Sequence, residues 1–475
     1  MLNLKKSIKM KSKSLFISLF IIFSICVFGQ DITGEWNGLL KVQGMSLRLV
    51  FHIASNENGF KATMDSPDQG AKGIPVSSVS FLNNALTIEI SAAQIKYTSE
   101  SIFTDSIIGT FSQMGQKLPL NLYRKAIAQV KVKRPQEPSL PYPYISEEVT
   151  FINDKDKIEL AGTFTLPKGT GKFPAVILIS GSGPQNRDEE IMGHKPFLVL
   201  ADYLTRNGIA VLRYDDRGTN NSEGNFQTAT TPDFANDVMS AVKYLRTRKE
   251  IYPEQIGLAG HSEGGIIAPM VASEDKNLKF IILLAGTGIK GSEILLLQQE
   301  LIGRANGIKE AEIKKTAELN GTIYKMIDET ENTDMLKVKI REYLMAKSKV
   351  LPDMKIPEGS NLNEIIEIQI NQITSPWMLN FIRYNPAPML SKVKCPLLAV
   401  IGSKDLQVPS QVNLLAIENA LKKGGNKSFT VKELPGLNHL FQECKTGSPN
   451  EYAEIEQTIS PVLLENVLNW IKSLK

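Results

Sequence analysis

From Ala175 onward the chain alternates short, unbroken apolar runs with longer amphipathic ones, and few folds accommodate that pattern. Ala175–Ser180, Ile209–Tyr214, Ile256–Gly260, Phe280–Ala285, Pro396–Gly402 and Phe429–Leu434 read as strands. Pro196–Asn207, Asp233–Thr247, Gly264–Ser273, Pro409–Lys422 and Pro461–Ser473 read as helices. A strand apolar at every position is buried on both faces. Such strands, separated by helices, build a mostly parallel α/β sheet covered on both sides. Glu147–Ile152 and Lys157–Phe164 precede the series as an expected hairpin.

Two segments break the pattern. Asp31 to Lys125 alternates apolar and polar residues over Trp36–Val42, Ser46–Ala54, Ile88–Ser91 and Leu118–Tyr123, with turn signals at Asn56–Gly59 and Asn83-Asn84. A small all-β barrel or sandwich over 31–125 is expected. Residues 126–145 carry Pro135, Pro138, Pro141 and Pro143 and suit an extended linker, which leaves 146–475 for the α/β unit. Inside that unit, about 290–387 is charge-rich and helical in pattern. It falls between two strands, so it is read as a helical cap over the carboxyl edge of the sheet; a plain helical appendage is the alternative.

The net charge of +4 comes from the N-terminus. Without the five lysines of residues 1–29 the chain holds 49 basic and 50 acidic side chains, a net of −1. Nothing in that balance points to nucleic acid. Lysines followed by apolar Leu15–Phe28 and a small residue at Gly29 fit a secretory signal over 1–29, hence a secreted or periplasmic protein starting near Gln30. The run is short for a membrane span, so no stable span is expected after processing; an uncleaved anchor is the competing reading. Cys395 and Cys444 are expected as free thiols, although export would permit a disulfide. With four histidines, no C-x-x-C and no H-E-x-x-H, no metal site and no cofactor are expected.

Chemistry concentrates at Gly260-His261-Ser262-Glu263-Gly264. A G-x-S-x-G pentapeptide occurs by chance about 0.2 times in a chain this long, so alone it decides little. Here it joins a strand to a helix, the turn that pushes a serine hydroxyl out of the backbone, and the architecture calls for an acid and then a histidine later in the chain. Asp405 follows the strand Pro396–Gly402, and His439 follows Phe429–Leu434. All three fall at the carboxyl edge, where α/β sheets bind ligands. A serine hydroxyl needs a base; histidine can take its proton and return it, and a carboxylate holds the imidazole in one tautomer. The oxyanion would be met by the Glu263 N–H at a helix start and by the Ser182 N–H, with Gly183 close behind, in Ser180-Gly181-Ser182-Gly183-Pro184. A phosphate loop is the alternative for that run, but no Gly-Lys-Ser/Thr follows. Gln185, Arg187, His194 and Trp377 are pocket candidates, with Phe381 and Tyr384 as further cap aromatics. His261 is read as packed, and Tyr214–Gly218 as a brace for neighbouring loops.

On Ser180–Asp188, Arg213–Gly218, Gly260–Gly265, Gly402–Asp405 and Asn438-His439, the chain from about 147 to 475 resembles the α/β-hydrolase superfamily, in the branch of bacterial esterases and serine aminopeptidases. Ser180-Gly181 departs from the His-Gly that commonly opens the oxyanion loop. The 31–125 segment resembles β-barrel modules that precede some secreted hydrolases. The resemblance implies carboxylic-ester cleavage of a small-molecule substrate through an acyl-enzyme. Aminopeptidase or amidase activity is the alternative, and a binding protein on a degenerate scaffold the third reading. Acyl length, alcohol group and oligomeric state are not implied.

Overall fold

The computed structural model describes residues 31–128, 134–348 and 362–474, apart from 43–44, 58, 68–70, 94 and 114–115. The expected signal over 1–29 and part of the cap segment lie outside the described residues.

The N-terminal module is one curled antiparallel sheet of β1 (Gly34–Val42), β2 (Met45–Asn56), β3 (Gly59–Ser66), β4 (Ala71–Pro75), β5 (Ser78–Leu82), β6 (Ala85–Ile90), β7 (Ile95–Ile102), β8 (Ser106–Gln113), β9 (Gln116–Pro119) and β10 (Leu122–Tyr123). Its order is β4-β3-β2-β1-β10-β8-β7-β6-β5, with β9 on β8. Curling brings Phe60 of β3 edge-on to Phe81 of β5 at 6.4 Å. The alternation turns Trp36, Phe51, Ile53, Leu86, Ile88 and Tyr97 inward onto one core. Asn83 and Asn84 both take left-handed backbone, which lets two residues reverse the chain between β5 and β6.

The second sheet comprises β11 (Ile145–Asn153), β12 (Ile158–Leu166), β13 (Phe173–Ile179), β14 (Ala210–Tyr214), β15 (Ile251–His261), β16 (Phe280–Leu284), β17 (Leu397–Gly402) and β18 (Phe429–Leu434). The order is β11-β12-β14-β13-β15-β16-β17-β18. β11 and β12 form the hairpin, β12 meets β14 antiparallel, and every later pairing is parallel. This is the α/β-hydrolase fold. Strand β13 shows why the runs are unbroken. Ala175, Ile177 and Ile179 pack under α2 (Thr231–Thr247), α3 (Gly264–Glu274) and α10 (Ser410–Lys423). Val176 and Leu178 pack on the other face under α1 (Pro196–Arg206) and α11 (Pro461–Ser473). Truncating one of these buried aliphatics to Ala costs about 2–5 kcal/mol. β15 starts earlier than its apolar run because Ile251 pairs with Phe173 ahead of a register shift.

The described cap is α4 (Gly291–Ala305), α5 (Glu310–Glu329), α6 (Thr333–Ser348), α7 (Leu362–Ile373) and α8 (Pro376–Arg383), followed by the short α9 (Ala387–Leu390). It has an apolar core of its own around Ile327, Leu336, Ile340, Ile366 and Ile370.

From Arg134 onward the proline-bearing segment is fastened down rather than free. The Arg134 guanidinium donates to the carbonyls of Met192, Gly193, Ala453 and Ile455. Gln136 Oε1 accepts from the N–H groups of Thr458 and Ile459. Proline spacing marks an extended backbone but does not reveal that side chains along it find distant backbone carbonyls and N–H groups.

Candidate active site

Ser262 stands at the turn from β15 to α3 with φ +51°, a left-handed backbone that costs a non-glycine residue energy and is kept where the surroundings dictate it. The surroundings here are tight. Ser262 N–H donates to Leu284 O at 2.8 Å, and a methyl group on Gly265 would lie 2.5 Å from Gly286 Cα. Only glycine lets the helix start this close to the next strand.

Asp405 and His439 follow β17 and β18. His439 Nδ1 donates to Asp405 Oδ2 at 2.8 Å, and Asp405 Oδ1 accepts from the N–H groups of Gln407 (2.9 Å) and Val408 (2.8 Å). Both side chains are buried. Ser262 and His439 line one cavity of about 310 Å³. Gly181 and Ser182 enter it from the loop after β13, and Trp377 and Phe381 from α8. Ile294, Leu295 and Gln298 enter from α4. Among the described residues of this wall there is no Lys or Arg.

Glu263 contributes more than a backbone N–H. Its carboxylate, buried on the cavity wall, accepts from Thr231 Oγ1 (2.7 Å), from Trp377 Nε1 (2.9 and 3.0 Å to its two oxygens) and from the Ser182 hydroxyl. Burial raises its pKa against the opposing pull of these donors. Glu189 is held in left-handed backbone at φ +51° and turns its carboxylate inward. Its Oε1 accepts Gly181 N–H at 2.7 Å and meets His261 Nδ1 at 2.9 Å, while His261 Nε2 meets His439 O at 3.0 Å. Burial favours the neutral imidazole of His261. The Glu189 charge and hydrogen bond, the His439 carbonyl and the Asp405 charge outweigh it and raise the pKa. Asp216, after β14, accepts from Ser180 Oγ (2.6 Å) and Gln185 N–H (3.0 Å), so it braces the loop after β13. Burial, chiefly, pushes its pKa well up.

Among the pocket candidates, Gln185 and Trp377 line the cavity, as does Phe381. Arg187, His194 and Tyr384 do not. Arg187 turns back to the sheet edge, pairing with Asp215 (2.7 Å) and Glu148 and donating to Thr163. His194 is fully buried, bonded to Tyr452 O (2.7 Å) and Thr458 Oγ1 (3.1 Å). Burial first, and the Arg134 charge beyond it, lower its pKa to about 4 despite the Tyr452 bond. Both were expected at the cavity because they follow the oxyanion segment; that loop doubles back instead, closed by the bridge between Ile191 and His194. Glu189 carried no signal in the sequence: it stands in an Asp-Glu-Glu run, and its partner is 72 residues away. Cys395 and Cys444 are free thiols.

The strand order and the turn at Ser262 define an α/β hydrolase. The family model for X-Pro dipeptidyl-peptidase (S15 family) matches residues 156–429, more than half of the chain, and the chain belongs to that family. It is similar to Esterase EstD of Thermotoga maritima, 25% identical over 316 residues, which are 66% of this chain and 65% of that esterase. A second relative, Thiohydrolase aneE of Aspergillus aculeatus, is 35% identical over 136 residues, 28% of this chain and 40% of that protein. Among solved structures, alpha/beta hydrolase GrgF from Penicillium is 17% identical with TM-score 0.42, covering 69% of this chain and 98% of its own. Est1E from Butyrivibrio proteoclasticus is 17% identical with TM-score 0.40, over 69% and 98%. The fold and the family place the chain among the α/β hydrolases.

Proposed function

We propose that this hydrolase cleaves small, uncharged carboxylic esters through an acyl-enzyme on Ser262, with His439 as base and Asp405 as its orienting carboxylate. The observation that carries the reading is the 2.8 Å bond from His439 Nδ1 to Asp405, which leaves Nε2 as the imidazole's accepting nitrogen, in a cavity shared with Ser262. Ser262 attacks the ester carbonyl as His439 takes its proton. The tetrahedral oxyanion accepts from Glu263 N–H, at the positive end of α3, and from Ser182 N–H. Protonated His439 then releases the alcohol, and water repeats the sequence to free the acid. A cavity of about 310 Å³ with apolar Ile266, Ile294, Leu295 and Phe381 suits short acyl groups. A wall with buried carboxylates and no Lys or Arg disfavours anionic substrates.

The Glu263 carboxylate also favours a second reading, aminopeptidase action, because an acid on the wall can meet an α-ammonium group. Rates across nitrophenyl esters of graded acyl length, set beside aminoacyl anilides, separate the two; anilide turnover exceeding ester turnover would refute the esterase assignment. Mass mapping of a fluorophosphonate adduct tests the nucleophile directly. We further propose that residues 1–29 direct export, on their lysine-then-apolar pattern. N-terminal sequencing of protein from its host should start near Gln30.

A further inference from the structure

The assigned mechanism uses one histidine, yet a second lies against it. The His261 ring centroid is 4.8 Å from that of His439, and His261 is buried with both nitrogens partnered. The partners decide its charge. Glu189 Oε1 already accepts the Gly181 N–H at 2.7 Å and faces Nδ1 at 2.9 Å; the His439 carbonyl, which can only accept, faces Nε2 at 3.0 Å. Two acceptors call for two N–H groups, the arrangement a doubly protonated imidazole supplies. The groups facing it are Glu189 from the loop after β13, Asp405 from the loop after β17 and His439 from the loop after β18, with the Phe441 ring 6.3 Å away. Among the described residues that face it are two carboxylates and no lysine or arginine, which suits a buried imidazolium.

The geometry is that of a clamp. At one end Gly181 N–H is fixed next to Ser182; at the other the main chain of His439 is fixed. Gly181 lies so close that a methyl group on it would be 3.1 Å from Ser262 Cβ. We propose that Glu189 and His261 are positioning residues, a carboxylate–imidazolium pair that locks the oxyanion loop to the His439 backbone and sets a fixed positive charge beside the base. The proposal rests on the assignment of Ser262 and His439 above. It adds that the oxyanion donor and the base keep their relative placement through an ion pair that touches no substrate.

The test uses the full mature protein without a histidine tag. With only four histidines in the chain, ¹⁵N spectra of the side chains are readable, and the His261→Gln spectrum identifies its signal. One imidazole, that of His261, should stay doubly protonated at pH 8. Kinetics on a nitrophenyl ester follow, with rates expressed per fluorophosphonate-labelled site, so that misfolded protein is not counted. Labelling at Ser262 also tests the parent assignment separately from the clamp. His261→Gln, and Glu189→Gln, which keeps an acceptor for Gly181, should each lower kcat by about ten- to a hundredfold with KM within about threefold. The acid limb of kcat/KM should move up by about one pH unit, since a neighbouring cation no longer opposes proton uptake by the base. The double variant should be little worse than either single one. Two results each overturn the proposal: a neutral His261 at pH 8, or an unmoved acid limb with additive losses in the double variant.

Discussion

Replacing Asp405 by Asn changes one atom and should remove nearly all turnover. The carboxylate takes three N–H donors: Gln407 and Val408 backbone on Oδ1, and His439 Nδ1 on Oδ2. Asparagine can keep the two backbone bonds through its carbonyl oxygen, which turns its NH₂ toward His439. An N–H facing an N–H is repulsive, so the imidazole shifts its proton to Nε2. The nitrogen that should accept the Ser262 proton then already holds one. Loss of the working tautomer lowers kcat by about 10³–10⁴-fold, or roughly 4–5.5 kcal/mol in the barrier. KM should stay within about threefold, because the cavity is lined by Gln407 and Val408 and not by Asp405 itself. Folding loses one charge-assisted bond, about 1.5–3 kcal/mol, so the variant should remain folded with a lowered melting temperature. Stopped-flow hydrolysis of a nitrophenyl ester, with circular dichroism as control, checks this. Activity within tenfold of the parent would refute the argument and transfer the role to another acid. Glu433 at the end of β18 is the next candidate, but it accepts from Ser410 Oγ at 2.5 Å, and Glu433→Gln should leave kcat unchanged.

Ser262→Ala should stay folded and lose about three or more orders of magnitude in kcat, measured on the same ester; near-normal turnover would sink the nucleophile assignment. His194 gives a pH signature: its folded pKa of about 4 lies below the unfolded value of about 6.5, so the stability it contributes is complete above about pH 6.5 and lost as pH falls toward 4. Urea unfolding at pH 7 and pH 4 should differ by roughly 3 kcal/mol more in the parent than in His194→Gln. A fragment starting at Arg134 should fold and hydrolyse a small ester, whereas one starting at Tyr144 loses the Arg134 and Gln136 bonds and should melt lower; equal melting temperatures would show that those bonds contribute nothing.

The sheet was legible because strands such as β13 are buried on both faces, and the chemistry of Val176-Ile177-Leu178 leaves no other place for them. The placement of Ser262, Asp405 and His439 at one edge of the sheet was legible because each follows a strand that could be recognised. In the N-terminal module β3, β4, β5, β7 and β8 have no counterpart among the expected strands; the edge strands Ala71–Pro75 and Ser78–Leu82 bury no residue fully and owe their conformation to neighbours. The loop between β13 and α1 departs from expectation for a related reason. Sequence proximity to Ser182 suggested that Arg187 and His194 reach the cavity, but a left-handed residue at Glu189 and another at Met192 redirect the chain. Those turns present Glu189 to the site and send Arg187 and His194 elsewhere. Local periodicity carries no information on such reversals.

The same limit explains why Glu263 was read only as a backbone donor. Its side chain gathers three elements that are distant in sequence: Thr231 at the start of α2, Trp377 on the cap helix α8, and Ser182 on the oxyanion loop. The cap holds together through its own core, and Trp377 stacks on Phe381 at 5.1 Å where α8 enters the cavity. Lifting the cap would withdraw the indole N–H from a buried carboxylate, and a buried charge that loses a donor costs about 1–3 kcal/mol or more. The cap helix α8 and the turn at Ser262 are therefore tied through one side chain. Glu263, whose N–H is proposed to meet the oxyanion, is thus bonded through its side chain to the cap helix, to α2 and to the loop after β13.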